Sequence, residues 1–469
     1  MKKFAIALSI LLVAGLGVWF FLFRKSPPPT RFVLVVSDTL RADHLGCYGH
    51  EAASTPNIDR LAGQSLRFEN AFGAASWTFP SNCALLAGKY AYTVADKETP
   101  CIVDEAVTLA EHFREAGYLT AGYSSHPIID PKWKFDQGFE TFLRRKPWGQ
   151  DDRTIDDAIK WLNEHPDDKI FLLVYLFDPH EPYDPAKPPA QLQSIWPQTR
   201  SIIRDGKVPM GGNDHRPTFV EHPSNSTECT REEVEILHQL YIADIGDVDK
   251  RVGRLLDEVL ADDRTVIAFL SDHGEEWLEH GGLRHKELPY KEIVNVPFIL
   301  RIPGRPAAVV KTPVSNLDLM PTFLELAGIK PQDELHGESL VATDNLSPTR
   351  PLLCESLHCD ELNDEVRIDA WAVRSGDRSV IHIESGWPDD PPVPEGGLWE
   401  YFDLAQDPTQ QKPLSVAENA ADLQEILLDF EERSKSVVIE TEAAPDDNKH
   451  GMDEELRREL EALGYIGGD

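Results

Sequence analysis

Positive charge is scarce in this 469-residue chain: 46 Lys and Arg stand against 80 Asp and Glu, for a formal net charge of -34 at pH 7. A surface of that sign repels nucleic-acid phosphates and anionic lipid, so nucleic acid is not an expected partner. An anionic substrate would need a local cationic centre, either a metal or a few Lys, Arg and His side chains. Cysteine is scarce too. Six in a chain of this length make no disulfide scaffold, and no Cys-x-x-Cys pair of the zinc-ribbon kind occurs. No internal repeat is visible. What is present is apolar mass: at 41% hydrophobic residues the chain can bury a large core, which predicts one large domain with a smaller companion.

The N-terminus carries an apolar stretch from Phe4 to Phe23, with Lys2 and Lys3 before it and Arg24 and Lys25 after it. About 20 apolar residues cross the hydrocarbon core as a helix. A cleaved signal peptide is the alternative, but no small-x-small site follows the run, and Trp19, Phe20 and Phe21 suit a membrane interface. The expectation is an uncleaved signal anchor over 1–25, its short N-terminus cytoplasmic and the bulk of the protein periplasmic or at the cell surface. Residues 26–30, with three consecutive prolines, read as a stiff spacer.

Beyond the spacer, strand and helix signals alternate. Arg31–Ser37 (RFVLVVS) is a short apolar run rich in β-branched residues, the pattern of a strand buried on both faces. Val107–Gly117 has helical spacing and stops at a glycine; Tyr118–Tyr123 reads as the next strand. Asp151–Glu164 is a second amphipathic helix, Ile170–Phe177 (IFLLVYLF) a second buried strand, Glu232–Leu260 a long helix and Thr265–Leu270 a third buried strand. Such alternation predicts an α/β fold with a mostly parallel central sheet flanked by helices, whose ligands gather at the carboxyl ends of the strands. Asp184–Arg231, rich in Pro and poor in apolar runs, reads as a surface insertion.

Those strand ends share a chemistry. The first run ends in Asp38-Thr39, the run at Ile170 ends in Asp178-Pro179-His180, and the run at Thr265 ends in Asp272-His273-Gly274. One such Asp is commonly a helix cap. Three together deliver oxygen and nitrogen donors to one rim, a set suited to Ca²⁺, Mg²⁺, Mn²⁺ or Zn²⁺. A further stretch, ASWTFPSNCALLAG from Ala75 to Gly88, sets the Thr78 hydroxyl before a run of small and apolar residues. It is the pattern of a helix start, at which Thr78 serves either as a cap or as a nucleophile.

The stretches VLVVSDTLRADHLGCYG, STPNIDRLAGQSLRFENAF and SWTFPSNCALLAGKY, followed by FDPHEPYDP, SDHGEEWLEHGG, NLDLMPTFLELAGI, YFDLAQDP and ALGYIGG, resemble in order the landmarks of the sulfatases, within the alkaline phosphatase superfamily. The resemblance implies a sulfatase-like catalytic domain over 31–330, a smaller four-stranded antiparallel subdomain over 331–415 and a helical acidic tail over 416–469. It implies one divalent metal, usually calcium, held by Asp38, Asp272 and His273, with Thr39 standing where many members have another Asp. Thr78 falls at the nucleophile position. His180 and His285 fall where active-site basic residues stand, and Lys286, Asn82 and His126 at or near substrate-binding positions.

The departures matter as much. Sulfatases convert Cys or Ser at the nucleophile position into formylglycine; oxidising threonine would give a ketone instead. Cys83 lies five positions on, inside the expected helix. Asn82 replaces an Arg, and Ser124-Ser125-His126 stands near a segment that in many members contains a Lys. Three functions are open at this level. They are a metal-dependent hydrolase of sulfate esters, or of related phosphate or phosphonate esters, acting on a small molecule or glycan; a membrane-anchored phospho- or sulfo-group transferase on envelope glycans or lipids; and a binding protein that kept the fold without turnover.

Overall fold

The computed structural model describes residues 29–51, 53–96, 100–193, 231–285, 288–356, 369–384, 393–437 and 454–463. The expected anchor at Phe4–Phe23, Lys286, most of the insertion after Asp184 and the acidic connector at 440–450 lie outside them. No helix among the described residues is long and apolar enough to cross a membrane.

The main sheet takes its strands from β1 (Arg31–Ser37), β2 (Leu66–Phe72), β3 (Leu119–Ser124), β4 (Thr141–Arg144), β5 (Ile170–Leu176), β6 (Thr265–Leu270), β7 (Asn295–Arg301), β8 (Ala308–Val310) and β9 (Val314–Ser315). Their order is β8-β2-β7-β6-β1-β5-β3-β4, with β9 also paired to β2. β1 runs parallel to both β5 and β6, whereas β7 is antiparallel to both β6 and β2. The predicted mostly parallel sheet is thus present, with one reversed strand inserted between β6 and β2.

The unbroken apolar runs are explained by two-sided burial. All seven residues of β1 are buried. Phe32, Leu34 and Val36 enter one core, shared with Phe79, Leu85, Leu109, Phe113 and Phe323. Val33 and Val35 enter another, with Ile58, Leu61, Ile155, Leu240, Val248 and Leu255. Each fully buried aliphatic side chain contributes about 1.5–3 kcal/mol. The first core is covered by helices α2 (Thr78–Ala87), α3 (Leu109–Glu115) and α7 (Leu319–Ala327), the second by α1 (Pro56–Ala62), α4 (Asp151–Glu164) and α5 (Arg231–Val259). α4 buries Thr154, Ile155, Ala158, Trp161 and Leu162, the three-and-four spacing that presents one apolar stripe. A short helix, α6 (Lys291–Val294), leads into β7.

The C-terminal part forms a separate antiparallel sheet, β10 (Leu352–Glu355), β11 (Ala370–Ser375), β12 (Arg378–Ile383) and β13 (Leu398–Asp403), paired in that order. α8 (Ala421–Ser436) packs on it: His382 Nδ1 lies 2.6 Å from Glu431 Oε1, and Trp371 donates to Ser434 Oγ at 3.3 Å. α9 (Glu454–Ala462) returns to the main domain, where Trp148 N donates to Glu459 Oε1 at 3.1 Å and Arg144 pairs with the same carboxylate. The two sheets are stitched in front of α2: Glu355 N donates to Ala74 O at 3.0 Å and Ser76 N to Glu355 O at 3.3 Å.

Candidate active site

Five parallel strands end on one rim, and each contributes to a single buried cluster. β1 supplies Asp38 and Thr39, β2 leads through Gly73 to Thr78, β3 supplies His126, β5 supplies His180, and β6 supplies Asp272 and His273. The loops are locked to one another by backbone-directed hydroxyls. Ser271 Oγ donates to His273 O at 2.7 Å while accepting from Leu40 N at 2.9 Å, and Ser81 Oγ donates to Asp272 O at 2.8 Å. Gly73 is required by close approach, since a Cβ there would lie 2.6 Å from Asp272 O. Thr39 sits at φ +52°, a left-handed conformation that costs a β-branched residue about 1–3 kcal/mol. Tyr241 holds it there, donating to Thr39 O at 2.8 Å and accepting from Arg41 N at 3.0 Å.

Asp272 is fully buried, and its oxygens are spoken for. Oδ1 accepts from His273 N at 2.9 Å; Oδ2 accepts from the Tyr175 hydroxyl at 2.7 Å and from the Asn82 amide at 2.8 Å. Asn82 also donates to Thr78 O at 2.8 Å. Its side chain therefore orients a carboxylate and the first turn of α2.

Asp38 is the opposite case. Also fully buried, it has His126 Nε2 at 2.9 Å from Oδ2 and His273 Nε2 at 3.4 Å from Oδ1, yet among the described residues neither oxygen accepts an aligned hydrogen bond. Burial, then the charges of Asp272 and Glu275, push its carboxyl well above the ordinary range. The buried Thr39 hydroxyl beside it is also without a partner.

Hydrogen bonds fix the tautomers of the histidines. His273 Nδ1 donates to Gly274 O at 3.0 Å, so Nε2 carries a lone pair facing Asp38, Asp272 and Thr78. His180 Nδ1 likewise donates to Glu181 O at 2.6 Å, leaving the lone pair on Nε2. His126 is reversed: its Nδ1 accepts from Ile128 N at 3.1 Å, so Nε2 carries the proton. Burial lowers the His126 pKa well below its ordinary value and keeps the ring neutral. His285 packs against both His273, tilted, and His180, edge-on, its ring centre 4.5 Å from the first and 4.9 Å from the second, with Nδ1 3.3 Å from Glu275 Oε1.

Thr78 is the first residue of α2, with Trp77 in the N-cap position and no side-chain cap bond at that end. Its Oγ1 lies 3.2 Å from His273 Nε2, inside the cluster. Asp38, Asp272 and His273 bring one ligand atom each within 4.8 Å of one another. Two buried carboxylates, one imidazole lone pair and an orphaned Thr39 hydroxyl fit a hard divalent cation, which would return Asp38 to its ionised form. His126 also lies within this range of Asp38 and His180, but its Nε2 proton makes it a donor to bound oxygen. In a separate group, Glu276, His280 and Glu292, the imidazole offers no lone pair: His280 faces Glu292 Oε1 at 2.5 Å on Nδ1 and Gln410 O at 2.8 Å on Nε2.

With this geometry in place, comparison with known proteins decides the lineage. Residues 30–329 match the sulfatase family model. The chain belongs to the sulfatase family. Its curated relatives include the uncharacterized sulfatase YidJ of Escherichia coli, 25% identical over 66% of this chain and 70% of that protein. They also include an N-acetylglucosamine-6-O-sulfatase of Bacteroides thetaiotaomicron, 24% identical over 86% of each. Among solved structures, the phosphonate monoester hydrolase of Agrobacterium radiobacter superposes with a TM-score of 0.62 at 20% identity, over 87% of this chain and 95% of that one. The sulfatase fold accounts for both sheets.

This sulfatase-family chain brings Asp38, Thr39, Thr78, Asn82, His126, His180, Asp272, His273 and His285 into one neighbourhood. Asp178 departs from that pattern. It pairs with Arg251 of α5, and burial beside Asp151 raises its carboxyl to about 7. Sequence reasoning missed Tyr175, hidden inside an apolar strand, and Glu275 beside His285. The signal for Tyr175 was a phenol in a fully buried run, which requires an internal acceptor.

Proposed function

We propose that the protein is a metal-dependent hydrolase of sulfate esters, or of related phosphate and phosphonate esters, with the unmodified Thr78 hydroxyl as nucleophile. The observation that carries the reading is the position of Thr78 Oγ1, 3.2 Å from His273 Nε2 and within the Asp38, Asp272 and His273 group. A divalent cation held by those three residues would supply positive charge for the oxyanion that builds up and favour the ionised hydroxyl. Thr78 Oγ, its proton released to solvent, bonds to the sulfur or phosphorus while the bond to the leaving oxygen breaks, the electron pair staying with that oxygen. His285, and His180 once its Nε2 has taken up a proton, would deliver a proton to it. His126 donates Nε2–H to a bound ester oxygen. Water then cleaves the threonine ester and restores the hydroxyl.

The relatives support ester hydrolysis as the reaction class; the threonine and the Asn82 amide, spent on Asp272, favour phosphate diesters or phosphonates over sulfates. The membrane anchor at 1–25 with an extracytoplasmic catalytic domain belongs to the same reading, supported by the Phe4–Phe23 run and its flanking charges. The test is a panel of aryl sulfate, aryl phosphate diester and aryl phosphonate, each with Ca²⁺, Mg²⁺, Mn²⁺ and Zn²⁺. Turnover of one class, abolished by chelation, is expected. Absence of turnover in metal-loaded protein would replace the hydrolase reading with that of a binding protein. Full-length protein should stay with membranes in high salt, and a soluble mature chain lacking the apolar run would overturn the anchor.

A further inference from the structure

Cations are outnumbered in this chain, yet two of them line one cleft without a carboxylate attached to either. The cleft lies between the two sheets, bounded by Phe72, Gly73, Val294, Cys354, Ser379 and Gln410, with Lys291 and Arg374 on its walls. Lys291 begins α6, and its ammonium makes no ion pair among the described residues. Arg374, on β11, lies with its guanidinium 4.2 Å above the Phe72 ring and donates to Gly376 O at 3.0 Å and Asn70 Oδ1 at 3.4 Å, both neutral acceptors. The acids that reach Lys291 through space are engaged elsewhere: Asp43 pairs with Arg41 and His44, and Glu292 with His280. Ser379 Oγ accepts from Gln410 Nε2 at 3.1 Å on the same wall, and its own hydroxyl proton is not spent on that bond.

We infer that this cleft is a second anion site, taking the sulfate, phosphate or carboxylate group of a ligand between Lys291, Arg374 and Ser379. Burial, with the Arg374 and Arg41 charges, lowers the Lys291 pKa despite Asp43, and burial lowers that of Arg374 to about 10 despite Asp377, a cost a bound anion offsets. In a chain of net charge -34 such a pair is not needed for solubility. The cleft is separate from the catalytic cluster, although its Gly73 wall abuts Asp272 O.

The experiment is titration of the full-length protein with sodium sulfate against sodium chloride at matched ionic strength, together with selenate soaks that locate the anion by anomalous diffraction. Selenate in the cleft is expected, and Lys291→Met should weaken that site by roughly tenfold, as one unscreened charge implies. Lys291→Gln/Arg374→Gln should abolish it with metal binding at Asp272 intact, whereas Arg378→Gln, which removes an exposed pair with Asp422, should change nothing. If the anion is a second group of the substrate, Thr78→Ala protein will bind glucosamine 2-N,6-O-disulfate more tightly than the 6-sulfate, and Lys291→Met will erase the difference. If it is a free ion, the two sugars will bind alike while the sulfate site persists. An empty cleft, with equal sulfate binding by wild-type and Lys291→Met proteins, overturns the inference even if the protein proves to be an active hydrolase.

Discussion

Replacing Thr78 by Ala separates chemistry from architecture. The side chain is fully buried, starts α2 and is in contact with His273 Nε2. Its removal costs one hydrogen bond, about 1 kcal/mol, and one buried methyl, about 0.8 kcal/mol. A loss near 2 kcal/mol from a total of about 5–15 kcal/mol leaves essentially all of the protein folded. A purely structural role therefore predicts a Tm lowered by a few degrees and turnover near the wild-type value. A nucleophilic role removes the bond-forming atom. Turnover should then fall by roughly 10⁴-fold or more, which corresponds to about 5.5 kcal/mol in the barrier and exceeds what the folding loss can produce. Thr78→Ser keeps the oxygen and should stay within about tenfold of wild type. The assay is single-turnover release of the aryl leaving group, with metal content measured on the same samples. Turnover by metal-loaded Thr78→Ala within tenfold of wild type would refute the reasoning.

Asp272→Ala or His273→Ala should abolish stoichiometric metal binding while far-UV circular dichroism is unchanged, because the ligands sit beyond the strand ends; unaltered metal content in both would remove the site. Tyr175→Phe keeps the ring but deletes the donor to Asp272 Oδ2, and should weaken metal binding by roughly 10–100-fold in calorimetric titration. His280, held as an imidazolium between Glu292 and Gln410, has its pKa raised to about 9 from 6.5, against its burial, by the Glu292 hydrogen bond and charge. Because the folded value lies above the unfolded one, the stabilisation is complete below about pH 6.5 and is lost as pH rises through 9. The Tm gap between wild type and His280→Gln should close over that window, and a gap independent of pH would contradict the assignment.

Some of this was local and therefore readable. α4 begins at Asp151 and ends at Glu164, and β6 spans Thr265–Leu270, as periodicity and apolar runs indicate. β2 and β7 were not read, because LRFENAF mixes charge into a half-buried strand and NVPFILR follows a loop with no clear punctuation. The helical tail expected over 416–469 is interrupted at Ala420, with φ -149°, before α8 begins at Ala421. Asp178 carried the same local signature as Asp272, and only Arg251, 73 residues away, distinguishes them.

The sequence alone determined that buried strands would end in Asp and His, since two-sided burial forces continuous apolar runs and polar groups can begin only where the sheet stops. It also determined that residue 78 is a hydroxyl that cannot become formylglycine. Tertiary structure decided the rest. Strand order set β6 and β5 on either side of β1, which brought Tyr175 and Asn82 onto Asp272 and left Asp38 with no aligned donor among the described residues. The His126 and His273 tautomers, by contrast, are set locally, by Ile128 N and Gly274 O. The bonds from Tyr175 and Asn82 to Asp272 join residues 97 and 190 positions apart, and local periodicity carries no information about which distant side chain will arrive.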